Sequence, residues 1–75
     1  MRRVGTVVGT AQGLLVVRSA DRSHPDVGAM VVDEQLDEVG EVVDVFGPVE
    51  QPYVSISPAD STHPPTLLED PVYER

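Results

Sequence analysis

Seventy-five residues make one domain near the lower limit of independent folding, in which roughly 60% of the open chain's surface is buried. Cysteine is absent, so disulfides and thiolate metal sites are excluded, and a core of this size supplies only about 3–5 kcal/mol without a staple. Thirteen Asp and Glu against five Arg and no Lys give a formal charge of −8, a field that repels phosphate backbones and disfavours nucleic-acid binding through a basic stripe.

Fifteen valines against four alanines point to strands, because β-branched side chains lose rotamer freedom in a helix and pack well on a pleated surface. No segment repeats apolar residues at three- and four-residue spacing over two turns, so the fold class is all-β. Arg3 to Gly9 is predicted as a first strand, with Gly5 and Gly9 where a curved sheet bends. Thr10-Ala11-Gln12-Gly13 turns the chain into a second strand, Leu14 to Arg18, and the two form a hairpin. The unbroken LLVV run in that strand fits burial on both faces or a barrel wall. Ser19 to Gly28 is polar and turn-rich, too poor in apolar groups for the core.

Ala29 to Val32 reads as a third strand, followed by the acidic turn Asp33 to Glu38 with Leu36 as its one apolar anchor. Val39 to Phe46 is the fourth, in which Gly40 marks a bulge or a close backbone approach. Tyr53 to Pro58 is the fifth. Ala59 to Pro65 reads as a loop or link, Thr66 to Glu69 as a sixth strand, and Asp70-Pro71 as its break. Val72 to Arg75 either continues along the barrel rim or frays. Six short strands at regular spacing predict a small closed β-barrel of the translation-protein or reductase–elongation-factor type. Residues 1–58 are then the barrel core, and 59–75 the loop, closing strand and tail of the same domain.

Little in the chain suits catalysis. His24 and His63 both precede proline in polar stretches that do not hold a general base in fixed geometry, and Ser55 and Ser57 have no neighbouring His or Lys to activate them. The expectation is a non-enzyme without cofactor or metal. The cluster Asp33-Glu34-Asp37-Glu38 lacks the alternating ligands and central Gly of a calcium loop and reads as a solvated acidic turn. Arg2, Arg3, Arg18 and Arg22 fall toward one end of the first hairpin, as scattered surface charge or as a phosphate contact opposed by the protein's own field.

The stretch between the fourth and fifth strands carries the strongest functional signal. Pro48 suits the second position of a turn, and Pro52 is tolerated only at a strand's first residue, an edge or a bulge. The result is a stiff GPVEQP loop bearing Phe46, Val49 and Tyr53, which either cap the core or anchor a partner.

Val39-Gly40-Glu41-Val42-Val43-Asp44-Val45-Phe46-Gly47-Pro48-Val49, continued by Pro52-Tyr53-Val54-Ser55-Ile56, resembles the signature VGxVxDVFGPVxxPYVxI of the Gar-one family. This is the small β-barrel subunit of box H/ACA ribonucleoproteins, in its archaeal form. The likeness extends to the opening hairpin and to Val31-Val32-Asp33, while Ser19 to Gly28 and Ala59 to Glu69 match poorly. The resemblance implies a non-catalytic subunit of the guide-RNA machine that converts uridine to pseudouridine in ribosomal RNA. Such a subunit docks on the catalytic domain of a dyskerin-type pseudouridine synthase, meets the H/ACA guide RNA only indirectly, and promotes substrate loading and product release. Phe46, Gly47, Pro48, Val49, Pro52, Tyr53 and Val54 are the expected partner-binding residues. A PRC-like or translation-factor-like protein-binding barrel is the alternative. It shares the V-G-x-V-x-D pattern without the full loop.

The chain has neither a signal-peptide core nor a stretch approaching ~18 apolar residues, and a cytoplasmic protein without membrane contact, monomeric when free, is expected. The lack of Lys beside many carboxylates suits a halophilic cytoplasm, where a Debye length of ~3 Å at 1 M salt screens their repulsion.

Overall fold

The structure is a computed structural model that describes residues 2–60 and 69–75. Its strands are β1 (Arg2–Ala11), β2 (Leu14–Ser19), β3 (Met30–Val32), β4 (Glu38–Phe46), β5 (Tyr53–Pro58) and β6 (Pro71–Glu74). All neighbours pair antiparallel in the order β1-β2-β5-β4-β3-β6, and β6 returns to β1, so the barrel closes and leaves no open edge. The all-β class and the closed six-stranded barrel follow as expected from the valine-rich runs.

Closure puts alternate residues of each strand inside. Val7, Val17 and Val54 lie side by side across β1, β2 and β5, and Leu15, Ile56 and Val42 across β2, β5 and β4. All six are 0% exposed. Burying one such side chain contributes about 1.5–3 kcal/mol, which is how a small chain offsets its ordering entropy. The LLVV run of β2 alternates between half-buried and buried positions, so it is a barrel wall rather than a strand buried on both faces.

Tight curvature comes from bulges and glycines. The β1–β6 register shifts between Arg3 and Gly5, and the β1–β2 register between Val7 and Gly9, which leaves Val8 exposed. Gly40 is a point of close backbone approach, since a Cβ there would overlap the carbonyl oxygen of Ser57 on β5. The first hairpin turns on Gln12 and Gly13 alone, both in the left-handed region (φ 54° and 81°), the two-residue geometry whose twist matches the flanking strands. Thr10 and Ala11, expected in the turn, therefore extend β1.

Three expectations are corrected. The closing strand is Pro71–Glu74; of the expected sixth strand, Thr66 to Glu69, residues 66–68 lie outside the described ones and Glu69 sits at φ 69° in a turn. Asp70-Pro71 starts the strand instead of breaking it, since proline fits a strand's first residue. The Glu69 amide donates to the Val7 carbonyl (2.7 Å) and the Val7 amide donates to the Asp70 carbonyl (3.0 Å), which leads the chain onto β1. Val72 is then fully buried, so the C-terminal residues contribute to the core. The segment from Ser19 to Gly28 also reaches the interior, where Ser19 extends β2 opposite Gly5 and Pro25 is fully buried. Leu36, finally, anchors nothing. It is 64% exposed, and the acidic turn is held instead by Asp33, whose carboxylate accepts the amides of Gln35 (2.9 Å) and Asp37 (3.0 Å).

A single ion pair, Arg2 to Glu74 at 2.8 Å, forms among the described residues. Most of the carboxylates are therefore left to repel one another, and urea midpoints are expected to rise between dilute buffer and molar KCl. Equal midpoints at both salt concentrations would show that repulsion does not limit the fold.

Candidate protein-docking site

The site is built where β4 hands over to β5. Phe46, the last residue of β4, pairs in register with Tyr53, the first of β5, and their rings stack with centroids 5.6 Å apart and planes 25° from parallel. Gly47 follows at φ 91°, and a Cβ there would come within 2.9 Å of the Tyr53 ring. Glycine thus meets two demands at once, a left-handed backbone and room for the aromatic pair.

The loop between the rings is fastened to β2. The Gln51 amide donates to the Pro48 carbonyl (3.2 Å), the Gln51 side-chain Nε2 donates to the Ser19 carbonyl (3.2 Å), and the Ser19 amide donates to the Pro52 carbonyl (3.0 Å). Pro52 serves as an acceptor only, so its missing N–H leaves no bond unmade. Between these ties Val49 stands 79% exposed, while Phe46 keeps 43% of its surface in water. An apolar group held out on a clamped, proline-flanked loop has little ordering entropy left to lose when it is covered.

The seven residues expected to bind a partner do not all share one surface. Phe46, Gly47, Pro48 and Val49 are exposed and Tyr53 is half-buried at the outer face. Val54 is corrected: it pairs in register with Val17 and Val45, points inward and is 0% exposed, because β-strand alternation sends it opposite to Tyr53. Pro52 is buried as well, and its part is to hold the loop.

Beside the loop lies a shallow groove of about 230 Å³. The loop and the end of β4 supply its apolar lining through Val45, Phe46, Pro48, Val49 and Pro52. The polar remainder comes from Arg22 and His24 of the β2–β3 connection. The sequence suggested Arg22 only as a phosphate contact and His24 only as a poorly held base, and neither as part of this site, since nothing local indicates that this connection folds back beside the β4–β5 loop. In the β2–β5 register Arg18 lies opposite Tyr53.

The other sequence candidates are dispersed. Arg2 donates to Glu74 (2.8 Å) and to the His24 carbonyl (3.3 Å), whereas Arg3 donates to Thr6 Oγ1 (3.4 Å). Among the described residues no three of His, Asp and Glu converge as metal ligands, and His63 lies outside those residues.

The family model for the "Gar1/Naf1 RNA binding region" matches residues 1–74. The chain belongs to that family. An uncharacterised protein of Methanothermobacter thermautotrophicus is 30% identical over 64 residues, covering 85% of this chain and 68% of that protein. In three dimensions the chain resembles the solved Gar1 domain of Naf1 with a TM-score of 0.75, over 99% of this chain and 85% of that one, at 18% identity. At that identity the likeness supports the barrel fold alone. The family description is of an RNA-binding region. In this member the β4–β5 loop exposes Phe46 and Val49 side by side with Pro48, and the chain carries a charge of −8.

Proposed function

We propose that this Gar1/Naf1 domain is a non-catalytic protein subunit of a box H/ACA guide-RNA ribonucleoprotein that directs pseudouridylation of ribosomal RNA. It docks on the catalytic domain of a dyskerin-type pseudouridine synthase through the Phe46–Val49 loop. The observation that carries this reading is Val49, 79% exposed at the tip of a loop tied to β2 by two hydrogen bonds and backed by a stacked aromatic pair. A well-packed monomer gains nothing from holding Val49 and much of Phe46 in water on a rigid support, whereas an interface anchor does.

Charge supports the same division of labour. A protein of net charge −8 contributes little to holding RNA electrostatically, so its place in the particle is against protein, and apolar burial supplies the affinity. Docked there, it favours loading of substrate RNA and release of product by the synthase, in the cytoplasm of a cell rich in salt.

Affinity capture of the chain at the working salt of its own cytoplasm tests the assignment. Recovery of the pseudouridine synthase is the expected result. Recovery of a translation factor or ribosomal protein in its place would overturn it.

A further inference from the structure

Arg22 is the unexplained group at this site. It lines the groove yet makes no hydrogen bond or ion pair among the described residues, in a chain with thirteen carboxylates and five arginines. Its nearest acidic neighbour in sequence, Asp21, spends its carboxylate on the Ser23 amide at 2.7 Å. A cation left unneutralised in so acidic a protein, next to the most exposed apolar side chain, invites an anion from outside.

We propose that the groove takes an apolar segment of the partner protein carrying one acidic side chain, its carboxylate on the Arg22 guanidinium and its apolar residues on Phe46, Pro48 and Val49. This rests on the docking reading above and adds the chemistry of the segment that docks. Covering the groove removes water from the guanidinium, and a carboxylate restores what is lost, since the planar fork matches its two oxygens. A phosphate chain is a poorer occupant. Each further phosphate meets the −8 field, whereas a single carboxylate on a partner of ordinary charge meets it once. A second copy of this chain would bring another −8 and is disfavoured for the same reason.

The test titrates the full chain and its variants Arg22→Glu, Arg22→Gln and Val49→Asp against a purified dyskerin-type synthase, and separately against guide RNA alone. Arg22→Gln is expected to weaken synthase binding about tenfold and Arg22→Glu roughly thirtyfold, the range of a charge pair desolvated on docking. Reversing one acidic residue of the synthase to Arg is expected to restore the Arg22→Glu variant to within about threefold of wild type, as pairwise coupling requires. Wild-type affinity for Arg22→Glu with loss for Val49→Asp would overturn the carboxylate contact and leave the docking reading standing. Wild-type affinity for both would remove the docking site itself. Binding of guide RNA alone that disappears in Arg22→Glu would make Arg22 a phosphate contact and overturn the proposal.

Discussion

Replacing Gly40 by alanine is expected to remove most of the stability of this domain. A Cβ at Gly40 would overlap the Ser57 carbonyl, and at Gly5 it would overlap the Arg18 carbonyl. In both cases the obstacle is backbone on the neighbouring strand, so no side-chain rotation relieves it. Overpacking costs about 1–3 kcal/mol where side chains yield, and more where they cannot. Against a total of roughly 3–5 kcal/mol for a domain of this size, Gly40→Ala and Gly5→Ala should be largely unfolded in dilute buffer. Gly9→Ala is the control. Nothing lies within 4 Å of a Cβ there, and the substitution should be neutral or stabilise by up to about 1 kcal/mol through the unfolded chain. Urea titrations followed by far-ultraviolet circular dichroism decide this. A Gly40→Ala protein that unfolds at the wild-type midpoint would mean the barrel wall is not drawn in at this position.

The second large effect falls on binding and spares the fold. Val49→Asp should leave the unfolding free energy within about 0.5 kcal/mol of wild type, because the side chain is 79% exposed. Its affinity for the proposed partner, the pseudouridine synthase, should fall about a hundredfold. The lost apolar burial contributes about 1.5 kcal/mol or more, and placing a carboxylate against an apolar partner surface adds a comparable penalty. Together these reach roughly 3 kcal/mol, or two decades in the dissociation constant. Calorimetric titration of a variant shown to be folded checks it, and unchanged affinity would take the loop out of the interface. Tyr53 is a less clean position for the same experiment. Its ring packs on Phe46 and over Gly47, so a charge there disturbs the loop as well as the surface.

The loop was legible because its chemistry is local. Pro48 and Pro52 stiffen it, Gly47 admits the left-handed backbone, and Phe46 and Tyr53 fall opposite each other once β4 and β5 are joined as a hairpin. Gly40 was legible for the same reason, since a glycine inside a valine-rich strand signals either a bulge or a close approach. Val54 was misjudged because it lies in the motif beside Tyr53, and motif membership does not distinguish the two faces of a strand. The register with Val17 and Val45 does, and it sends Val54 to the core.

Composition and residue order alone thus determined a valine-rich core, an acidic surface, five of the six strands and a rigid apolar loop, all of which depend on neighbours within a few positions. The tertiary structure decided the rest. It set Pro71–Glu74 between β1 and β3, turned Pro25 inward, and brought Arg22 and His24 beside a loop more than twenty residues away. Those placements come from barrel closure. The last strand must satisfy backbone groups on two partners far away in the chain, and no local pattern encodes which turn of the sequence will do it.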